Sequence, residues 1–126
     1  MQKFIDKAVL ETAEQMLGKH KLRAVIKSTF QVLNRDLLQI FELKIGDDTE
    51  QIANKIHQAN GPCAIFGATV LSDWLSDLEN NLRGNIPYLA AEKIDYIRTL
   101  AQLTERELFF QTGNLFQRNW HFLFGR

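Results

Sequence analysis

The residues with the most chemical potential lie in one stretch, Asn54-Lys55-Ile56-His57-Gln58-Ala59-Asn60-Gly61-Pro62-Cys63-Ala64-Ile65-Phe66-Gly67-Ala68. A neutral imidazole can act as nucleophile, proton carrier or metal ligand. If Ile52 and Ile56 mark the buried face of a helix, His57 stands about 100° around from Ile56, near the solvent boundary. Its helical neighbours are Ala53 one turn before, Asn60 and Gly61 one turn after, and Ala64 two turns after, all small or short. The ring would then rise above a shallow surface that another protein could approach closely. Glycine inside a helix costs about 1 kcal/mol relative to alanine, so Gly61 calls for a reason, and close approach of a partner is one.

Other chemistries are poorly served. Cys63 continues the apolar stripe and reads as a small buried hydrophobe. His57 and Cys63 lack a third member for nucleophilic catalysis and a ligand cluster for a metal. His20 and His121 sit in distant segments without a motif around them. Gly61 and Gly67 do not follow a strand, so they form no phosphate-binding loop. A lone histidine at a helix boundary is by itself an ordinary surface residue, and Glu79 with Arg83 four positions on reads as a solvated helix ion pair.

The elements that must position these residues are helical. The chain has 126 residues, two prolines and 45% hydrophobic residues. Fifteen Lys and Arg balance fifteen Asp and Glu, which argues against a general nucleic-acid binder. No apolar run approaches a membrane span and no hydrophobic signal segment opens the sequence, so a cytoplasmic protein is expected. A single cysteine excludes an internal disulfide. The length fits one domain over 1–126.

Asp6 caps a first helix carrying Leu10, Ala13 and Leu17, which Gly18 closes. A second helix has the stripe Leu22, Ile26, Phe30, Leu33, Leu37 and Ile40, widened by Phe41 and ended at Gly46-Asp47-Asp48. Asp48 and Gln51 resemble a capping box for a third helix starting near Thr49. That helix carries Ile52, Ile56 and Ala59 and continues through Pro62 toward Cys63 and Phe66. Gly67 punctuates the pattern. Leu71, Leu75, Leu78 and Leu82 line a fourth helix stopped by Gly84, and Asn85-Ile86-Pro87 turns into a fifth with Ala90, Ile94, Ile97, Ala101, Thr104 and Leu108. The expected fold is all-α: an antiparallel four-helix bundle with an additional short N-terminal helix and an aromatic C-terminal extension at 113–126. Phe109, Phe110, Phe116, Trp120, Phe122 and Phe124 hold nearly half of the aromatic residues. Phe116, Trp120 and Leu123 either fold back over the bundle or form a dimer surface.

The stretch around His57 resembles the histidine-containing phosphotransfer (HPt) domain of multistep two-component phosphorelays. That family has a His, a Lys three residues later, a Gly four later, a second Gly ten later, and a Leu-Glu pair whose Glu is twenty-two later. Here these positions hold His57, Asn60, Gly61, Gly67 and Leu78-Glu79. The Phe4-Ile5-Asp6 opening and the acidic turn before the His-bearing helix are similar as well, so the likeness covers roughly residues 4 to 110. It implies that His57 accepts a phosphoryl group, that Glu79 orients its ring, and that Gly61 gives clearance. Asn60 stands where the family has Lys: its amide can donate a hydrogen bond to a phosphoryl oxygen but brings no charge. Ala53, Asn54 and Ala64 would line the partner surface. The implied partners are response-regulator receiver domains or a hybrid sensor kinase, with magnesium on the receiver and no cofactor in this chain. A monomer is expected, with a homodimer through the aromatic tail as the alternative. Two other functions stay open: an HPt-like module that binds receivers without transfer, and a dimerising helical bundle in which His57 is incidental.

Overall fold

A computed structural model describes residues 4–44, 46–84 and 87–113, with the side chains of 87–91 left aside. The Asn85-Ile86 turn, Ala90, His121 and the aromatic tail from 114 onward lie outside the described residues and side chains. Five α-helices are present and no strand occurs among the described residues: α1 Lys7–Leu17, α2 Lys19–Ile40, α3 Glu50–Ile65, α4 Thr69–Arg83 and α5 Pro87–Gln111. No helix among them is long and apolar enough to cross a membrane.

The apolar periodicity explains the packing. Every α2 and α4 stripe residue from Leu22 to Ile40 and from Leu71 to Leu82 is buried, as are Ile94, Ile97, Ala101, Thr104 and Leu108 of α5. These side chains join Ile52, Ile56, Ala59 and Cys63 of α3 in one apolar cluster. Helix α3 packs on α2 and α4, α5 packs on α2 and α4, and α1 lies across α2 and α3. Phe41 departs from its expected place. It is 46% exposed because α2 ends at Ile40, and the Arg98 guanidinium covers its ring, 5.6 Å from the centroid.

Helix α2 stops at Ile40, short of the expected Gly46-Asp47-Asp48, and α2 and α4 start without a side-chain cap. The other helix ends follow local chemistry with one exception. Asp6 accepts from the N–H groups of Ala8 and Val9, as an N-cap should. Gly18 closes α1 at φ +82°. Lys19 and Arg23 of α2 donate to the carbonyls of Gly113 and Phe109, satisfying acceptors at the end of α5. The exception is the α3 start. Asp48 accepts from the N–H of Glu50, but Thr49 is the capping residue, and its buried hydroxyl donates to the carbonyl of Leu82. A tertiary contact with the end of α4 thus takes the place expected of an Asp48–Gln51 box. Thr104 and Thr112 likewise satisfy their hydroxyls on the carbonyls one turn back. Asp36 differs: its carboxylate is buried without a hydrogen bond, with Arg35 Nε at 3.5 Å.

Pro62 lies inside α3, which continues to Ile65. Its ring removes the N–H that would meet the carbonyl of Gln58, and Gln58 faces solvent. Just beyond, Gly67 adopts φ +87°, and its carbonyl accepts from the N–H of Asp6 at 2.8 Å. A Cβ there would sit 2.6 Å from the Asp6 carbonyl oxygen. The turn between α3 and α4 is therefore the seat on which the start of α1 rests, and only glycine fits it. Gly67→Ala is expected to cost about 2 kcal/mol or more from strain and displacement of α1, read as a lower denaturation midpoint. An unchanged midpoint would mean that α1 does not dock there.

Candidate functional site

The site is built where α3 and α4 run side by side. Their polar links are Thr49 to Leu82, Glu50 and Asn54 to Arg83, His57 to Glu79, and Asn60 to Ser76 and Ser72. Residue numbers rise on α3 as they fall on α4, so the two helices are antiparallel along this seam. The leucines of α4 fill the core. Glu79 and Ser72, one position after Leu78 and Leu71, are rotated toward α3 at the margin of that apolar face.

His57 is 69% exposed at its side chain, whereas Glu79 is 14% exposed. The His57 Nδ1 lies 3.1 Å from Glu79 Oε1. An ionised carboxylate only accepts, so Nδ1 carries the proton and donates, which leaves the Nε2 lone pair facing outward. The other carboxylate oxygen accepts from Arg83 Nε at 2.9 Å. Burial alone pushes the Glu79 carboxyl up, but the hydrogen bonds and charges of Arg83 and His57 outweigh it and hold it below its ordinary 4.5.

The remaining sequence-predicted residues fall into place unevenly. Gly61 is exposed on α3, and a Cβ built on it meets nothing within 4 Å. Contacts with other elements therefore give no reason for glycine at this position, but the next residue gives one: the Pro62 ring crowds a Cβ on a helical residue before it. Ala64 is exposed, and Asn54 is exposed with its carbonyl oxygen accepting from Arg83 Nη2 at 3.0 Å. Ala53 is a correction: it is fully buried and lines no surface. It lies about 60° from Ile56, inside the arc that faces the core, while His57 at about 100° lies outside it. Asn60 is half-buried and tied to α4, accepting from Ser72 Oγ at 2.6 Å and donating to Ser76 Oγ at 3.0 Å.

Cys63 is fully buried and its thiol is pushed up to about 12 by burial, so it is not a thiolate at neutral pH. Among the described residues no group of three His, Cys, Asp or Glu side chains could hold a metal ion. Sequence reasoning missed Ser72 and Ser76 as partners of Asn60, and Glu50 and Asn54 as partners of Arg83. Only the register between α3 and α4 pairs them, and no spacing within one helix encodes it.

Two outcomes follow from this geometry. Gly61→Ala is expected to gain less than the about 1 kcal/mol that alanine has over glycine in a helix interior, because the Pro62 ring crowds a Cβ on the helical residue before it; a full gain in denaturant unfolding would mean that the ring leaves that space open. The lowered Glu79 carboxyl lends stability that is fully present above its ordinary 4.5 and is lost as pH falls through the lower folded-state value. The melting-temperature gap between wild type and Glu79→Gln should therefore hold steady at pH 5 and above, on the order of the ordinary carboxylate range, and close below it. A gap that widens on acidification would contradict the depressed carboxyl.

No family model matches the chain, and no solved structure matches it. Over 80 residues, 64% of its length, it is 30% identical to the sensor histidine kinase AruS of Pseudomonas aeruginosa. The match takes up 8% of that kinase, so the chain spans a small part of the relative it matches. The chain is thus distantly similar to one segment of a sensor histidine kinase.

Proposed function

We propose that this chain is a histidine phosphotransfer (HPt) protein that accepts a phosphoryl group on His57 from a receiver-domain aspartate and passes it to another receiver. The observation that carries the reading is the pairing of an exposed imidazole with a largely buried carboxylate on the neighbouring helix, His57 Nδ1 to Glu79 Oε1 at 3.1 Å. Gly61, exposed and with no other element within 4 Å of an added Cβ, adds to it by leaving the approach to the ring unobstructed. The distant likeness to a sensor histidine kinase agrees with this class of signalling. In the same reading, α2 to α5 form a four-helix bundle of one domain with α1 as an additional short helix.

The chemistry asks little of the chain itself. The Nε2 lone pair attacks the phosphorus of the aspartyl phosphate, the N–P bond forms, and the P–O bond to the aspartyl oxygen breaks to release a carboxylate. The Nδ1 proton stays on the ring, which becomes cationic and is stabilised by its bond to Glu79. The receiver supplies the magnesium ion and most of the charge stabilisation. Return of the group to another receiver is the same step reversed. Asn60 contributes at most its second amide N–H, because its other amide atoms are engaged by Ser72 and Ser76.

That engagement favours a second reading, a module that docks on receivers without transfer. The two are separated by incubating wild type, His57→Gln and Gly61→Ala with pre-phosphorylated receivers. Acid-labile, base-stable label is expected on wild type, absent from His57→Gln, and slower to appear on folded Gly61→Ala. Receiver binding without any label would establish the docking module instead, and label persisting in His57→Gln would remove His57 from the role.

A further inference from the structure

We propose that Arg83 is a positioning residue for His57, acting through Glu79 by fixing the carboxylate that selects the imidazole tautomer. The consequence for phosphoryl transfer rests on the phosphotransfer reading above; the positioning itself does not.

Every arm of the guanidinium is committed. Nε donates to Glu79 Oε2 at 2.9 Å, Nη1 to Glu50 Oε1 at 2.6 Å and Nη2 to Asn54 Oδ1 at 3.0 Å. Glu50 and Asn54 are one turn apart on α3, and His57 follows one turn later. The guanidinium is thus anchored on the helix that carries His57 while gripping the α4 carboxylate that His57 needs. A glutamate side chain loses considerable rotamer freedom when held in one geometry. A planar, pre-organised fork is suited to holding it, whereas an ammonium is a point charge that fixes no orientation.

The effect is one of orientation rather than of positive potential. Glu50, Glu79 and Arg83 together carry a formal charge of minus one, so the cluster does not replace the charge that Asn60 lacks. The groups facing Glu79 are His57 from α3 and Arg83 from its own helix, with Glu50 reached through Arg83. Lys93 of α5 is occupied elsewhere, by Asp77 and Asn81. Without Arg83, Glu79 Oε2 loses its partner and the carboxylate is free to turn toward water, so Nδ1–H loses its fixed acceptor.

The test is nitrogen-15 NMR of His57 in the isolated protein at about pH 8.5, above the ordinary imidazole range, with wild type, Arg83→Gln and Arg83→Lys. Wild type is expected to hold the Nδ1–H tautomer and Arg83→Gln to show a mixture of both. Arg83→Lys keeps the charge without the fork, so it should restore the low titration of the Glu79 carboxyl, followed by carbon-13 NMR, but only part of the tautomer preference. Thermal melting of Arg83→Gln is expected to fall, since the largely buried Glu79 carboxylate loses a charged partner, so the tautomer is read on protein that is still folded. In the receiver assay, Arg83→Gln is expected to transfer about tenfold more slowly, the loss of one orienting hydrogen bond. An unchanged His57 tautomer in folded Arg83→Gln overturns the proposal. A wild type that takes no phosphoryl group, with a tautomer that still responds to Arg83, removes the phosphotransfer reading and leaves the positioning intact.

Discussion

The site depends on one shared carboxylate. Glu79 sits at the margin of the α4 apolar stripe, where the leucines that bury α4 also rotate it toward α3. Water is largely kept from it, so it must find its hydrogen bonds within the protein, and it finds them in His57 on one oxygen and Arg83 on the other. A buried carboxylate without such partners would protonate or turn outward. The exposed imidazole therefore owes its fixed orientation to a group that is itself held by the core.

The same seam explains why α3 tolerates an unfavourable sequence. Asn60, Gly61 and Pro62 in succession weaken an isolated helix through side-chain competition, backbone entropy and a missing donor. The helix nevertheless continues to Ile65. Ile52, Ala53, Ile56, Ala59 and Cys63 bury one face of it, and Asn60 is hydrogen-bonded to two serines of α4. Tertiary packing outweighs local propensity here, as it commonly does for amphipathic helices.

Two glycines illustrate how one residue type answers different demands. Gly67 is required from within, by a positive φ and by the backbone of Asp6 pressed against it. Gly61 lies inside α3 with no other element near it, and glycine there eases the helical geometry of a residue that precedes Pro62. The two positions thus differ in what meets an added Cβ: the backbone of another helix at Gly67 and the ring of the next residue at Gly61.

The amino-acid sequence by itself determined the five helices, their apolar stripes, the Asp6 cap and the stops at Gly18 and Gly84, because these depend on periodicity and on conformations set within a few residues. It also marked His57, Gly61 and Glu79 as residues worth joining, through their spacing. It misjudged Phe41, Ala53 and the Asp48–Gln51 cap of α3, although α3 starts where expected, beside Thr49; the end of a stripe, the width of the buried arc and a hydroxyl bonded to Leu82 decide these outcomes. Only the tertiary structure brought Ser72 and Ser76 to Asn60, and Glu50 and Asn54 to Arg83. Those pairings depend on the register of two antiparallel helices, which is fixed by how their apolar faces interlock rather than by any pattern along one of them.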